Sequence, residues 1–385
     1  MHDNILRLLL AKARSYDAMI CTSIAAKRAL VALVEHVRDR FNEQYGTQLE
    51  YRGRFDVIPL GVDGDRFRPV RDRSALRSKL KLPANAFVLL WVGRLSAIDK
   101  ADLVPLIDMF AELIRDNPQR DLHLVCVGSQ RPGEQYGDML ASYGADRGVA
   151  ARMQVITDSR GGIEQLFACA DVLVSPVDNL QESFGLTPIE AMAAGVVQVV
   201  SDYSGYRDTV VDGVTGFLIP TSWAPCAADL SSLGPITETP ADHLTLAQSL
   251  AVDMRGMRAA LQRLIEDPSL LASMAAASRQ RAEQHYAWSA VIAQYEALWS
   301  ELGERALSAA EMGDGEPAYA LPPYNEAFAH FPSDIVGPET ELRLTARGRQ
   351  LVQGEIELPS HYNLHWRYLD LDLLRRIFVG LSKME

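Results

Sequence analysis

From residue 57 onward, short apolar runs alternate with stretches of helical spacing. The runs are Phe87-Val-Leu-Leu-Trp-Val92, His123-Leu-Val-Cys-Val127, Met153-Gln-Val-Ile156, Val172-Leu-Val174 and Val197-Gln-Val-Val-Ser201. They are near-continuously apolar, the pattern of strands buried on both faces of a parallel sheet. Helices are expected over residues 103–114, 163–170 and 188–194, between those strands. The pattern predicts an α/β protein with a Rossmann-like, doubly wound parallel sheet. Before it lie one amphipathic helix, a strand-like Tyr16-Asp-Ala-Met-Ile-Cys-Thr-Ser23 and a long helix over residues 25–45; an amphipathic helix over 288–299 comes after it.

Ligands in such sheets sit at the carboxyl ends of the strands, where this chain concentrates glycines and charges. Gly93-Arg94 follows the first run, Gly128-Ser129 the second, residues 182–185 the fourth and Asp202-Tyr-Ser-Gly205 the fifth. In Glu182-Ser-Phe-Gly-Leu-Thr-Pro-Ile-Glu190, two carboxylates stand eight positions apart across a strand-to-helix junction. The helix start offers free N–H groups and a positive dipole end to a phosphate, while carboxylates on either side accept from hydroxyls. A lone glutamate there is usually a cap or a solvated side chain. Arg94 and Lys100 add a fork and a point charge suited to a diphosphate leaving group. The alternative is that Arg94 and Lys100 are ordinary solvated residues.

The Glu182 to Glu190 spacing, with Phe184-Gly185 inside it and Glu190-Ala-Met-Ala-Ala-Gly195 following, resembles the E-x7-E signature of retaining family 4 (group 1) glycosyltransferases with the GT-B fold. Gly93-Arg94-Leu95 with Lys100 is similar to the family's Gly-Arg-Leu…Lys-Gly. Here Lys100 comes one residue later than in the commonest version and Ala101 replaces the glycine. Residues 55–63 resemble the interdomain linker, and 201–208 and 212–217 the stretches that close the donor pocket. The resemblance covers residues 55–300 and implies metal-independent, retaining transfer of a hexose from a nucleotide-diphosphate donor to a glycan, lipid or small-molecule acceptor, such as a cell-envelope glycan. It implies Arg94, Lys100 and Glu182 as catalytic residues. Gly93, Ser129, Ile163, Ser183, Phe184, Gly185, Leu186, Glu190 and Gly205 would bind the donor, with Glu190 on the ribose. No cofactor is implied; the donor is a substrate, a UDP- or GDP-sugar ahead of an ADP-sugar.

The implied organisation is a remnant of an N-terminal acceptor domain at 1–54, a linker at 55–70, the donor-binding domain with a crossing helix at 71–305, a Gly/Pro-rich linker at 306–323 and a small, mostly helical extension at 324–385. The extension is read as a packing or oligomerisation element, with a small winged-helix-like module as the alternative. Most of an acceptor domain is expected to be missing upstream, from truncation, a wrongly assigned start or a split enzyme with a separate acceptor-domain polypeptide. The isolated chain is therefore expected to bind nucleotide weakly and transfer little sugar, and the alternative is a non-catalytic nucleotide-sugar-binding module. A nucleotide-sugar epimerase fits the E-x7-E pattern less well.

Composition narrows the partners. A net charge of -12 argues against nucleic acid and against polybasic membrane docking, leaving at most peripheral membrane contact. No apolar run reaches membrane-spanning length, so a cytoplasmic protein is expected. Cys21, Cys126, Cys169 and Cys226 lie far apart and read as buried free thiols. His243 reads as a capping or packing residue, and residues 221–240 as an inserted loop at the ligand edge.

Overall fold

The computed structural model describes residues 2–11, 13–70, 72–157, 162–224, 240–309, 322–333, 337, 339–356 and 371–383. The chain divides into two compact units, residues 1–319 and 320–385.

The first unit is built on a six-stranded, all-parallel sheet. Its strands are β3 (Phe87–Val92), β4 (Leu122–Val127), β5 (Met153–Ile156), β6 (Val172–Ser175), β7 (Val197–Ser201) and β8 (Gly216–Ile219). Their order is β5-β4-β3-β6-β7-β8, with Leu90 of β3 opposite Val125 of β4 on one side and Leu173 of β6 on the other. From β3 the chain steps outward through β4 to β5, and from β6 outward the other way. The order therefore reverses between β3 and β6, which opens a crevice at their carboxyl ends. The connecting helices are α4 (Val104–Asp116), α5 (Tyr136–Asp146), α6 (Ile163–Cys169), α7 (Leu186–Ala193) and the single turn α8 (Tyr206–Thr209). Trp91, Phe110, Phe167 and Tyr206 are fully buried with the strand valines and leucines in one core. At the strands' amino ends, Arg77 of α3 (Ser74–Lys79) is buried. Its guanidinium donates to Asp171 Oδ2 at 2.9 Å and to the carbonyls of Cys169, Ala84 and Ala86.

Ahead of the sheet, α1 (His2–Leu10), β1 (Ala18–Cys21), α2 (Ile24–Tyr45) and β2 (Arg54–Val57) form a small parallel β1–β2 pair with its own apolar cluster around Ile5, Leu9 and Val34. The first residues of the expected linker, Phe55 to Val57, are thus strand, because they pair with Met19 to Cys21. After β8 come β9 (Thr221–Trp223), α9 (Pro240–Gln248), β10 (Leu250–Val252), α10 (Met254–Glu266), α11 (Pro268–Arg281) and α12 (Trp288–Ser308). The segment expected to be a loop opens with β9, which pairs antiparallel with β10; residues 225–239, including Cys226, lie outside the described residues. Cys21, Cys126 and Cys169 are buried and free. The apolar face of α12 is not wholly bare: Val291 and Leu298 are buried against Ile58, Ala18 and Ile20, while Trp288 and Trp299 stay half-exposed or more.

In the second unit, α13 (Tyr324–Ala327) is followed by α14 (Ala346–Gln353), capped by Thr345 Oγ1 accepting from Gly348 N at 3.1 Å, and by α15 (Leu371–Ser382), which packs with α14. Most of the expected Gly/Pro-rich linker lies outside the described residues. Among the described residues, no helix is long and apolar enough to cross a membrane.

Candidate active site at the carboxyl edge of the sheet

Three loops meet at the β3/β6 crevice. The loops after β3 and β4 approach so closely that a Cβ on Gly128 would lie 1.5 Å from the Gly93 carbonyl oxygen, so position 128 requires glycine. Leu95 N donates to Ser129 O at 2.9 Å, which fixes one loop on the other. The third loop follows β6 and ends at Gly185, whose φ of +99° lies in the left-handed region, as the N-cap of α7. A side chain there would also meet the Tyr206 ring at 2.5 Å. Gly205 is equally constrained, since its Cβ would lie 2.4 Å from Phe184 Cα. The helix begins at Leu186, two residues before the expected Pro188, with Gly185 at its N-cap.

These loops bring Lys100 and Glu182 together: Lys100 Nζ donates to Glu182 Oε2 at 2.5 Å across the crevice. Glu182 is 9 % exposed and also accepts from Tyr206 OH at 3.4 Å, which in turn pairs with Ser175 Oγ at 2.9 Å. Burial, reinforced by Glu182, pushes the Tyr206 phenol well above its ordinary value, so it stays a donor. Arg94 lies on the same side. Its Nη1 donates to Asp99 Oδ2 at 2.6 Å, and Arg131, from the loop after β4, pairs with the same oxygen. Three cations thus face two carboxylates.

Glu190 sits in α7, half-buried, and burial raises its carboxyl to about 7 against a smaller opposing pull from Arg66. Phe184 is buried edge-on to Tyr286, Ser183 is exposed, and Leu186 is 47 % exposed. Ile163 opens α6 after Gly162 and is half-buried; the preceding residues 158–161 lie outside the described residues. The small N-terminal layer touches this edge directly. Ser23, the N-cap of α2, donates from Oγ to Ser183 O at 2.5 Å, and Ile24 N donates to Asp208 Oδ2 at 2.5 Å.

Sequence reasoning missed Asp99, Arg131 and Ser23, and reached Tyr206 only as part of the 201–208 stretch. Only the run of charges in Asp99-Lys100 hinted at the first. His243 lies within α9, with Nε2 3.5 Å from Gln181 Nε2. A separate cavity of about 540 Å³ opens beside Asp102, Tyr136, Pro176, Asp178 and Met254, and does not include the charged cluster. Its carboxylates suit no phosphate; burial and then Asp102 raise Asp178 to about 7. Among the described residues, no group of three or more His, Cys, Asp or Glu is placed to hold a metal ion.

A crevice at the strand-order reversal, here carrying cations and a buried carboxylate, is where doubly wound α/β domains take their ligands. Residues 86–233 match the family model for glycosyl transferases group 1. The chain is 33 % identical over 198 residues to D-inositol 3-phosphate glycosyltransferase of Nocardia farcinica, covering 51 % of this chain and 42 % of the relative. With the enzyme of the same name from Kineococcus radiotolerans it is 31 % identical over 272 residues, covering 69 % and 55 %. The chain thus spans about half the length of the curated relatives it matches. Among solved structures it resembles HepE of Anabaena in complex with UDP and glucose, with a TM-score of 0.53, 22 % identity and coverage of 80 % of this chain and 68 % of that one. It also resembles sucrose-phosphate synthase from Thermosynechococcus elongatus, with a TM-score of 0.51, 22 % identity and coverage of 75 % and 59 %. Residues 86–233 thus resemble the group 1 glycosyltransferases, and the sheet with its flanking helices has the fold of GT-B glycosyltransferase structures.

Proposed function

We propose that this chain holds a nucleoside-diphosphate sugar at the β3/β6 crevice and serves its metal-independent transfer, with retention, to a glycan, lipid or small-molecule hydroxyl. The observation that carries this reading is the 2.5 Å Lys100–Glu182 pair, which sets a cation and a hydroxyl acceptor side by side at the fold's ligand position. Diphosphate draws on Lys100 and Arg94, sugar hydroxyls on Glu182, and ribose hydroxyls on Glu190. The N–H groups of α7, opened by Gly185, add positive potential near the phosphates.

In the transfer, the acceptor oxygen bonds to the anomeric carbon on the face the phosphate leaves. The carbon–oxygen bond to phosphate breaks, its electron pair departs on the diphosphate, and the acceptor's proton passes to a phosphate oxygen. Arg94 and Lys100 offset the charge that grows on the leaving group, so no carboxylate nucleophile is needed. HepE was crystallised with UDP and glucose, which supports a UDP-sugar here, with a GDP-sugar next. An acceptor-binding domain, on this polypeptide or a separate one, completes the cleft.

The test is a thermal-shift panel of nucleoside diphosphates and their sugars. A ligand at about 100 times its Kd should stabilise by about 2.7 kcal/mol, and Glu190→Ala should abolish that shift. A wild-type chain indifferent to the whole panel would refute the donor reading; an unchanged shift in the variant would remove Glu190 from the site.

A further inference from the structure

We propose that Arg131 is a further diphosphate-binding residue of this site and that Asp99 positions it by tying its guanidinium to that of Arg94. The inference rests on the nucleotide-sugar reading above and extends it to residues outside the family-like motifs.

The two arginines come from loops after neighbouring strands, Arg94 after β3 and Arg131 after β4. Those loops are locked by the Gly93–Gly128 approach and the Leu95–Ser129 hydrogen bond, so the backbone sets the distance between the two side chains. Both guanidiniums then converge on one atom, Asp99 Oδ2. The exposures are stacked in order: the Asp99 side chain is 2 % exposed, those of Arg94 and Arg131 45 % and 43 %. A buried carboxylate therefore lies beneath two cationic heads that face outward. Each guanidinium carries five N–H donors, and contact with Asp99 uses only part of each set.

Two guanidiniums held this close would repel without the shared carboxylate. With it, they form a fixed pair of forks whose remaining donors match the oxygens of a diphosphate. Burial works to raise Asp99, but the Ser96 hydroxyl and the two guanidiniums outweigh it and hold its carboxyl below the ordinary value. Arg131 is also 3.7 Å from Glu134, whose Oε2 accepts from Arg131 N at 3.3 Å, so its backbone is anchored as well. Asp99 directly precedes Lys100, in the stretch where this chain is one residue longer than the family's commonest spacing. In this turn the Asp99 side chain is buried while Lys100 reaches Glu182.

Calorimetric titration of the full chain with UDP, UMP and uridine, and with the guanosine series if GDP gives the larger shift, tests the assignment. Arg131→Ala should weaken the diphosphate about tenfold, the loss of one charge-assisted hydrogen bond, and leave the nucleoside unchanged. Arg131→Lys should restore part of the loss. Asp99→Asn separates positioning from simple electrostatics, because deleting an anion beside a phosphate site raises its positive potential and by Coulomb's law alone would tighten binding. Positioning requires the opposite, several-fold weaker diphosphate binding. If Asp99→Asn fails to fold, as its unliganded melting curve would show, Arg131→Ala decides alone. Wild-type affinity in Arg131→Ala, or tighter binding in a folded Asp99→Asn, would overturn the proposal while leaving the donor reading intact. A wild-type chain that binds no nucleoside diphosphate would remove both.

Discussion

Glu190 makes a measurable demand on the stability of the fold. Burial raises its carboxyl from the ordinary 4.5 to about 7, so the folded state holds this proton more tightly than the unfolded state. Below about pH 4.5 both states are protonated and nothing is lost. As pH rises through the window from 4.5 to 7, the unfolded chain releases its proton first, and folding stability falls. Above 7 the full cost of an ionised, half-buried carboxylate is present. At about 1.4 kcal/mol per unit the shift corresponds to an upper bound of about 3 kcal/mol. The side chain's partial exposure trims this to about 1–3 kcal/mol. Glu190→Gln keeps the shape and carries no titrating proton. It should therefore be more stable than wild type at pH 8 by that amount, with the gap narrowing at pH 5.5. Asp178, also raised to about 7, pulls stability the same way but is present in both proteins and cancels. Urea unfolding at the two pH values, followed by fluorescence of the fully buried Trp91, reads the difference. A Glu190→Gln protein no more stable than wild type at pH 8 would show that the carboxylate is not desolvated. Such a gain, joined to lost nucleotide binding, is the pattern of a residue kept for function at the expense of stability.

Two further predictions concern the scaffold of the site. Gly128→Ala forces a Cβ against the Gly93 carbonyl and should destabilise by about 2 kcal/mol or more, seen as a lowered thermal midpoint; wild-type stability would show that the two loops separate freely. Leu298→Ala removes a buried contact between α12 and Ile58 and should cost about 2–4 kcal/mol, with hydrogen exchange rising in β1, β2 and α12 while β3, β4 and β6 stay protected; uniform loss of protection would mean one cooperative unit.

The runs at 87–92, 122–127, 172–175 and 197–201 are readable as strands because burial on both faces makes them continuously apolar. Helix α5 is harder to see, since Gly137, Tyr143 and Gly144 weaken its periodicity and packing holds it in place. Strands β9 and β10 have three residues each and lie 27 positions apart, beyond the reach of local pattern. Gly185 and Gly128 are visible as glycines, but only the folded loops show that one needs a left-handed backbone and the other a close approach.

By itself, then, the sequence determined a doubly wound sheet and the position along it of the charged residues Arg94, Lys100, Glu182 and Glu190, near the edge where such sheets take ligands. Those features are encoded locally, in the period of apolar positions and in the residue types that follow each strand. The tertiary structure decided which charges meet. It joined Lys100 to Glu182 across 82 positions, seated Arg131 on Asp99 with Arg94, and brought Ser23 against Ser183 across 160. Such pairings depend on strand order and loop contact, which arise only when distant segments share one core.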